Sequence, residues 1–255
     1  MFKTIAPITL EKHKNIKVSP INTFDFAKKV HIASIMAHEF SRVAPIYPIV
    51  FIEDQETDQF KPVAMLGLEP GENLFVNDEN KWEASYIPAI IRRYPFALAK
   101  IDEKGDKYTV CIDEDSQFVN KEEGEALFNE DGTPTEVIDN VKKYLTQLHQ
   151  MDNFTIEFSK FLKEHNLFNQ LNMKVRIGSE IKNISGAYVI NEERLNKLSN
   201  DVFLSMRESK YIPVIYSHLS SLSQIERLLG FKDKKYTVTE KIEDRFDEKK
   251  EESKK

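Results

Sequence analysis

The chain has 255 residues but only one cysteine, Cys111. That excludes an internal disulfide and a cysteine-rich zinc site, and a lone thiol fits a reducing compartment. Cys111 reads as a small buried strand residue rather than a nucleophile. Glycine is also scarce, at eight residues. Few tight barrel corners and no phosphate-cradling glycine loop are therefore expected. No stretch approaches the ~20 apolar residues that span a bilayer. The best runs, 44–52 and 86–91, are short and contain prolines. The opening MFKTIAPITLEKHKN is cut by Glu11, Lys12 and Lys14, so no secretory leader is expected. These features point to a cytoplasmic protein that does not span a membrane. The dinucleotide, P-loop, zinc-protease and serine-elbow motifs are absent. A net charge of −6 argues against nonspecific nucleic-acid binding.

What is present is bulky core material, with 17 Phe and 9 Tyr among the 40% hydrophobic residues. A chain of this length buries a core without disulfide or metal staples. Strands are expected around Ile16–Val18, Lys28–Ile35, Pro48–Glu53, Val63–Leu68 and Asn73–Val76. A short helix follows Pro88, and Phe96–Ile101 with Tyr108–Ile112 reads as a hairpin. The character changes near residue 120. Glu122–Phe128 has helical composition. Thr133, Pro134 and Glu136 then form a helix-start signature. Val137, Val141, Leu145, Leu148 and Met151 follow at helical spacing. Phe154, Phe158, Phe161 and Leu162 continue it, with a break expected at Asp152–Asn153. Met173–Ile177 and Ile184–Ile190 pair as strands. Asn191 and Ser199 open two further helices, and a last one runs from Pro213 to Leu229, stopped by Gly230.

The fold class expected is α+β, a strand-rich N-terminal half packed against a mainly helical C-terminal half containing one β-hairpin. Residues 1–231 form a single domain, strand-rich over 1–118 and helix-rich over 119–231. No Pro/Gly/Ser-rich linker divides them. From Lys232 onward 17 of 24 residues are charged, too few apolar groups to fold alone. Residues 232–255 are therefore read as a disordered or frayed-helix tail.

Leu66–Phe96 is the richest segment. It holds the only tryptophan, Trp82, with Tyr86, Arg92, Arg93 and Tyr94. Aromatics supply stiff contact area, and arginine stacks on rings or grips carboxylates through two parallel bonds. These five residues are the candidate partner- or ligand-binding set. The plainer reading makes the aromatics core and pairs the arginines internally with Glu72, Asp113 or Asp115. Asp113, Glu114 and Asp115 form an acidic cluster at a strand end, suited to a cation or to acid–base work, or simply a solvated turn. His31, His38 and Glu39 are the only histidine–acid grouping with metal-ligand character.

The same segment carries a resemblance. Leu66-Gly67-Leu68, Gly71 to Val76, Trp82 and Tyr86-Ile87-Pro88-Ala89 lead into Arg92-Arg93-Tyr94-Pro95-Phe96. With Pro48 to Phe51, Cys111-Ile112-Asp113, Gly124 to Phe128 and Gly186 to Leu195, this series resembles the signature of the bacterial SapC family. The resemblance spans about residues 10–230. It implies an association with surface-layer protein loci and export machinery, and it supplies no catalytic residue and no cofactor. A permease role, a label some members carry, does not suit a chain without a membrane span.

Three functions follow as expectations. The first is a non-catalytic cytoplasmic accessory protein that binds a polypeptide, either a surface-layer protein or an export component. The second is an enzyme modifying a peptide or glycan, using Asp113 or Glu72 beside Arg92. The third is a metal-dependent enzyme using His31, His38 and an acid. No cofactor and no nucleic-acid partner are expected.

Overall fold

The computed structural model describes residues 1–101, 107–178 and 180–234. The strands are β1 (Ile5–Pro7), β2 (Lys17–Val18), β3 (Ile32–Ser34), β4 (Ile49–Asp54), β5 (Gln59–Met65) and β6 (Phe96–Lys100). After them come β7 (Tyr108–Asp113), β8 (Val119–Asn120), β9 (Glu125–Ala126), β10 (Phe168–Ile177) and β11 (Glu180–Ile190). They form a three-stranded sheet β1-β7-β6, a five-stranded sheet β10-β11-β4-β5-β3 and a small sheet β8-β2-β9. All ladders are antiparallel. Apolar, β-branched and aromatic runs form the longer strands, each buried at one end and more open at the other in β4, β5, β6 and β7.

The fold is α+β, as the sequence indicates, with one refinement. The C-terminal hairpin β10–β11 does not stay with the helices but extends the N-terminal sheet, where Tyr188 pairs with Phe51. That junction carries a single register pair. Side chains of helix Tyr211–Ser221 reinforce it. The Ile190 N–H donates to His218 Nε2 at 3.0 Å, and the Ile49 N–H donates to Ser221 Oγ at 2.9 Å.

Glu136–Glu164 is one unbroken helix of 29 residues. Neither Asp152 nor Asn153 interrupts it, because a polar residue on the solvent side costs a helix only tenths of a kcal/mol, below about 0.7. Glu136 and Asp139 sit in its first turn, favourable at the positive end. Asn166, at φ +53°, closes it in the left-handed region that Asn tolerates. The helix serves two cores. Its C-terminal half puts Phe158 and Leu162 among Phe40, Phe51 and Ile215 under the five-stranded sheet. Its N-terminal half puts Leu145 against Phe96, Ile112 and Leu127 of the three-stranded region.

Several expectations are corrected. Residues 122–128 are not helical. Glu125–Ala126 pairs with β2, and Gly124 lies at φ +101° where an added Cβ would meet Val18 O at 2.4 Å. The long helix starts at Glu136 with Thr135 as N-cap, not at Pro134, because Pro134 is held in a bridge with Phe128. Residues 73–76 turn instead of forming a strand. Asn73 is buried, accepts from the Phe75 N–H and donates to Ala27 O. The last helix is two: Tyr211–Ser221, a turn, and residues 224–234, which run through Gly230. The Asn191 and Ser199 caps stand, each accepting a first-turn N–H. Residues 102–106, between the two strands of the expected Phe96–Ile112 hairpin, and the tail beyond residue 234 lie outside the described residues.

Candidate functional site

The 86–96 segment is placed by Glu39. This residue is 6% exposed and ends a short 3₁₀ turn after Met36. Its carboxylate accepts from the Met36 N–H (3.1 Å), the Tyr86 hydroxyl (2.6 Å) and the Ala89 N–H (2.8 Å). One buried side chain thereby ties the end of β3 to the start of helix Ala89–Arg92. Burial, and then the Glu39 carboxylate, push the Tyr86 hydroxyl up to about 12.

The five residues put forward from the sequence fall into separate environments. Trp82 is half-buried beside Phe24, and its Nε1–H donates to the Tyr47 hydroxyl at 2.9 Å. Tyr47, fully buried, donates its own hydroxyl hydrogen bond to Tyr86 O. Arg92 is exposed, lies over the Tyr86 ring at 5.4 Å and donates to Ile87 O. Tyr94 is buried, stacks on Phe26 at 4.2 Å and donates to Asp113 Oδ2. Arg93 is half-buried and stands apart from all of these, with its guanidinium over Phe2 at 5.6 Å. The structure thus brings Tyr86 and Arg92 together but not the full set. Trp82→Phe removes one donor while Tyr47 keeps its other bond. The variant is expected to lose about 1 kcal/mol of stability in urea denaturation followed by circular dichroism.

The acidic cluster fastens the N-terminus. Asp113 is fully buried, not on a solvated turn, and accepts from the Lys3 and Thr4 N–H groups. Asp115 accepts from Thr4 Oγ1, and Glu114 lies 3.2 Å from His13 Nε2. Internal pairing of either arginine with these acids does not occur, and Glu72 pairs instead with Lys232 at 2.5 Å. His38 packs on the Phe154 ring. Among the described residues no three His, Cys, Asp or Glu side chains gather as a metal set. Cys111 is buried in β7, which pushes its thiol pKa up.

Arg93 faces a cleft of about 890 Å³ at the seam between the two cores. This size lies within the roughly 300–1,000 Å³ of ligand pockets. One wall is the middle of the long helix, through Leu145, Leu148, Ile156 and Ser159. The opposite wall is residues 34–36 and 58–62, and Leu98 with Tyr108 of the β6–β7 hairpin closes an end. Two buried polar atoms lining the cleft, Arg93 Nε and Ser159 Oγ, have no hydrogen-bond partner among the described residues. Desolvation draws the Arg93 pKa below its ordinary value. At the rim, Lys163 pairs with Asp58 and Lys61 with Asp54, each at 2.5 Å.

The family model described as SapC matches residues 8–228. The chain belongs to the SapC family. The matched range contains every cleft-lining residue of this SapC-family chain. No curated protein and no solved structure matches the chain. Among the described residues no helix is long and apolar enough to cross a membrane.

Of the site residues, sequence reasoning reached Arg93 but missed Ser159 and the positioning role of Glu39. A signal existed for both. Thr155 and Ser159 interrupt an otherwise apolar face one helical turn apart, and Glu39 stands three residues after Met36, where a first-turn acid reaches back.

Proposed function

We propose that this SapC-family protein is a non-catalytic accessory protein of bacterial surface-layer protein production or export. It works in the cytoplasm by binding a polypeptide of that route, a surface-layer protein or an export component. The observation that supports this reading is the cleft, a large and mainly apolar concavity lined by two residues, Arg93 and Ser159, whose buried polar atoms have no hydrogen-bond partner among the described residues. Its lining favours binding over chemistry. Ser159 Oγ has no base bonded to it among the described residues, and the His149 ring lies on Tyr108 at 4.5 Å. An activated nucleophile needs the two joined. The acids considered for an enzyme, Asp113 and Glu72, are engaged elsewhere and do not line the cleft.

The test is deletion in the source bacterium, with surface-layer protein measured at the cell surface and in whole-cell extract. Deletion is expected to deplete the surface fraction. The parent gene restores it, and Leu148→Trp, which fills the cleft from the helix side, does not. An unchanged surface fraction on deletion would refute the link to the surface layer. Full restoration by a folded Leu148→Trp variant would refute the cleft as the working site.

A further inference from the structure

Side chains of a β-strand alternate between its two faces, so a wall seen face-on is lined by every second residue. Here residues 58–62 line the cleft without a gap, and so do 34–36. Consecutive lining means that the strand borders the cleft with its backbone edge. The pairing agrees. Strand β3 covers β5 only at residues 63–65, so over Gln59–Lys61 the β5 ladder has β4 on one side and no strand partner on the other among the described residues. An open edge presents backbone N–H and C=O groups that a further strand satisfies.

We propose that the cleft receives an extended segment of the partner polypeptide, with apolar side chains and one carboxylate. The segment adds as a strand along the open edge of β5, and its carboxylate is held by Arg93. This deepens the reading of the cleft as the working site and rests on it. Main-chain bonding distinguishes a peptide from a simple apolar ligand. A peptide brings backbone amides that need partners in an apolar surround; Pro62 O already accepts from the Ile35 N–H, and the outward-facing pair left on the β5 edge among the described residues is the N–H and C=O of Phe60. The apolar side chains meet Leu148, Ile156 and Ile90, which line the cleft. Charge complementarity selects the acid. Arg93 has no ion-pair partner among the described residues, and a half-buried, partly desolvated guanidinium gains most from an incoming carboxylate.

The probe is a fluorescein-labelled, C-terminally amidated peptide of alternating leucine and valine that carries one glutamate, read by fluorescence anisotropy on the full chain. Its glutamine counterpart is expected to bind about tenfold more weakly, the range of one charge-assisted pair. On Arg93→Met the two peptides bind alike, at the weaker level. Arg93→Met is expected to melt no lower than the parent, since methionine removes a desolvated cation at similar length. N-methylation of alternate amides is expected to lower affinity at least about tenfold by blocking strand addition. Leu148→Trp abolishes binding of all the peptides. Equal binding of the glutamate and glutamine peptides, undiminished binding of the N-methylated peptide, or binding that survives Leu148→Trp would each overturn the proposal. So would binding of palmitate with no binding of peptide, which would make the cleft a lipid site. If no probe binds while Leu148→Trp still fails to restore the surface layer in cells, the peptide assignment falls and the proposed function stands. Peptide binding with full restoration by that variant would show a peptide site in the cleft that is not the working site of the proposed function.

Discussion

Glu39→Ala is expected to lower unfolding stability by about 3 kcal/mol, because it orphans three donors at once, at roughly 1–3 kcal/mol each before relaxation. The Met36 and Ala89 N–H groups are buried where water does not replace the carboxylate, and the Tyr86 hydroxyl is half-buried. Removing a desolvated carboxylate returns part of the cost, which is why the sum of the three bonds overstates the loss. Glu39→Gln keeps the shape and one acceptor oxygen, so its loss is expected to fall between Ala and the parent. Urea denaturation checks both, and an Ala variant within about 0.5 kcal/mol of the parent, the range of an inert surface change, would show that Glu39 is not the tie. The effect extends to function. Glu39 holds Met36, which lines the cleft, and Ala89, which begins the turn that presents Arg93. Peptide affinity is therefore expected to fall in Glu39→Ala at temperatures where the protein remains folded.

The sequence made local structure legible where one period or one cap decides the outcome. The long helix follows from Val137, Val141, Leu145, Leu148 and Met151 at helical spacing, and the Asn191 and Ser199 caps from their own side chains. The hairpins β4–β5 and β6–β7 follow from apolar runs on either side of polar turns. Sequence and structure part where strand or bridge pairing overrides local preference. Residues 122–128 carry Glu, Ala and Leu, yet β2 recruits Glu125–Ala126 across more than a hundred positions. Pro134 suits a first helical turn, yet Phe128 captures it. The cleft was illegible for the same reason. It is assembled from residues 34–36 and 58–62, from Ile90, Arg93, Leu98 and Tyr108, and from one face of the helix between Leu145 and Glu164, and no window of sequence contains its shape. Arg93 stands out in the sequence by its arginine and aromatic neighbours, which reveal chemistry but not the direction in which a side chain points.

His218→Gln is expected to remove a pH dependence that the parent shows between pH 6.5 and 4. His218 is fully buried, with its ring 5.2 Å from that of Phe51, and it accepts the Ile190 N–H on Nε2. An acceptor nitrogen carries no proton, so the folded protein requires the neutral ring. Burial pushes its pKa from 6.5 down to about 3. The unfolded chain takes up the proton near pH 6.5 and the folded chain does not, so the unfolded state binds more protons throughout the interval and folding weakens as pH falls. The contribution of His218 is full above the unfolded pKa and is lost progressively toward the folded one. At about 1.4 kcal/mol per pH unit, the parent is expected to lose roughly 3 kcal/mol from this residue between pH 6.5 and 4. Gln retains an acceptor for the Ile190 N–H and has no proton to take up, so the difference between the two denaturation curves isolates the histidine from the acids that titrate in both. Parallel pH profiles would show that His218 does not govern the acid limb. The location makes the effect structural. His218 and Ser221 hold β11 to β4 where the ladder has a single register pair. Protonation is therefore expected to loosen the C-terminal hairpin first, and hydrogen exchange near pH 4 should rise at Ile190 before it rises in β4–β5, whose ladder is bonded along its length.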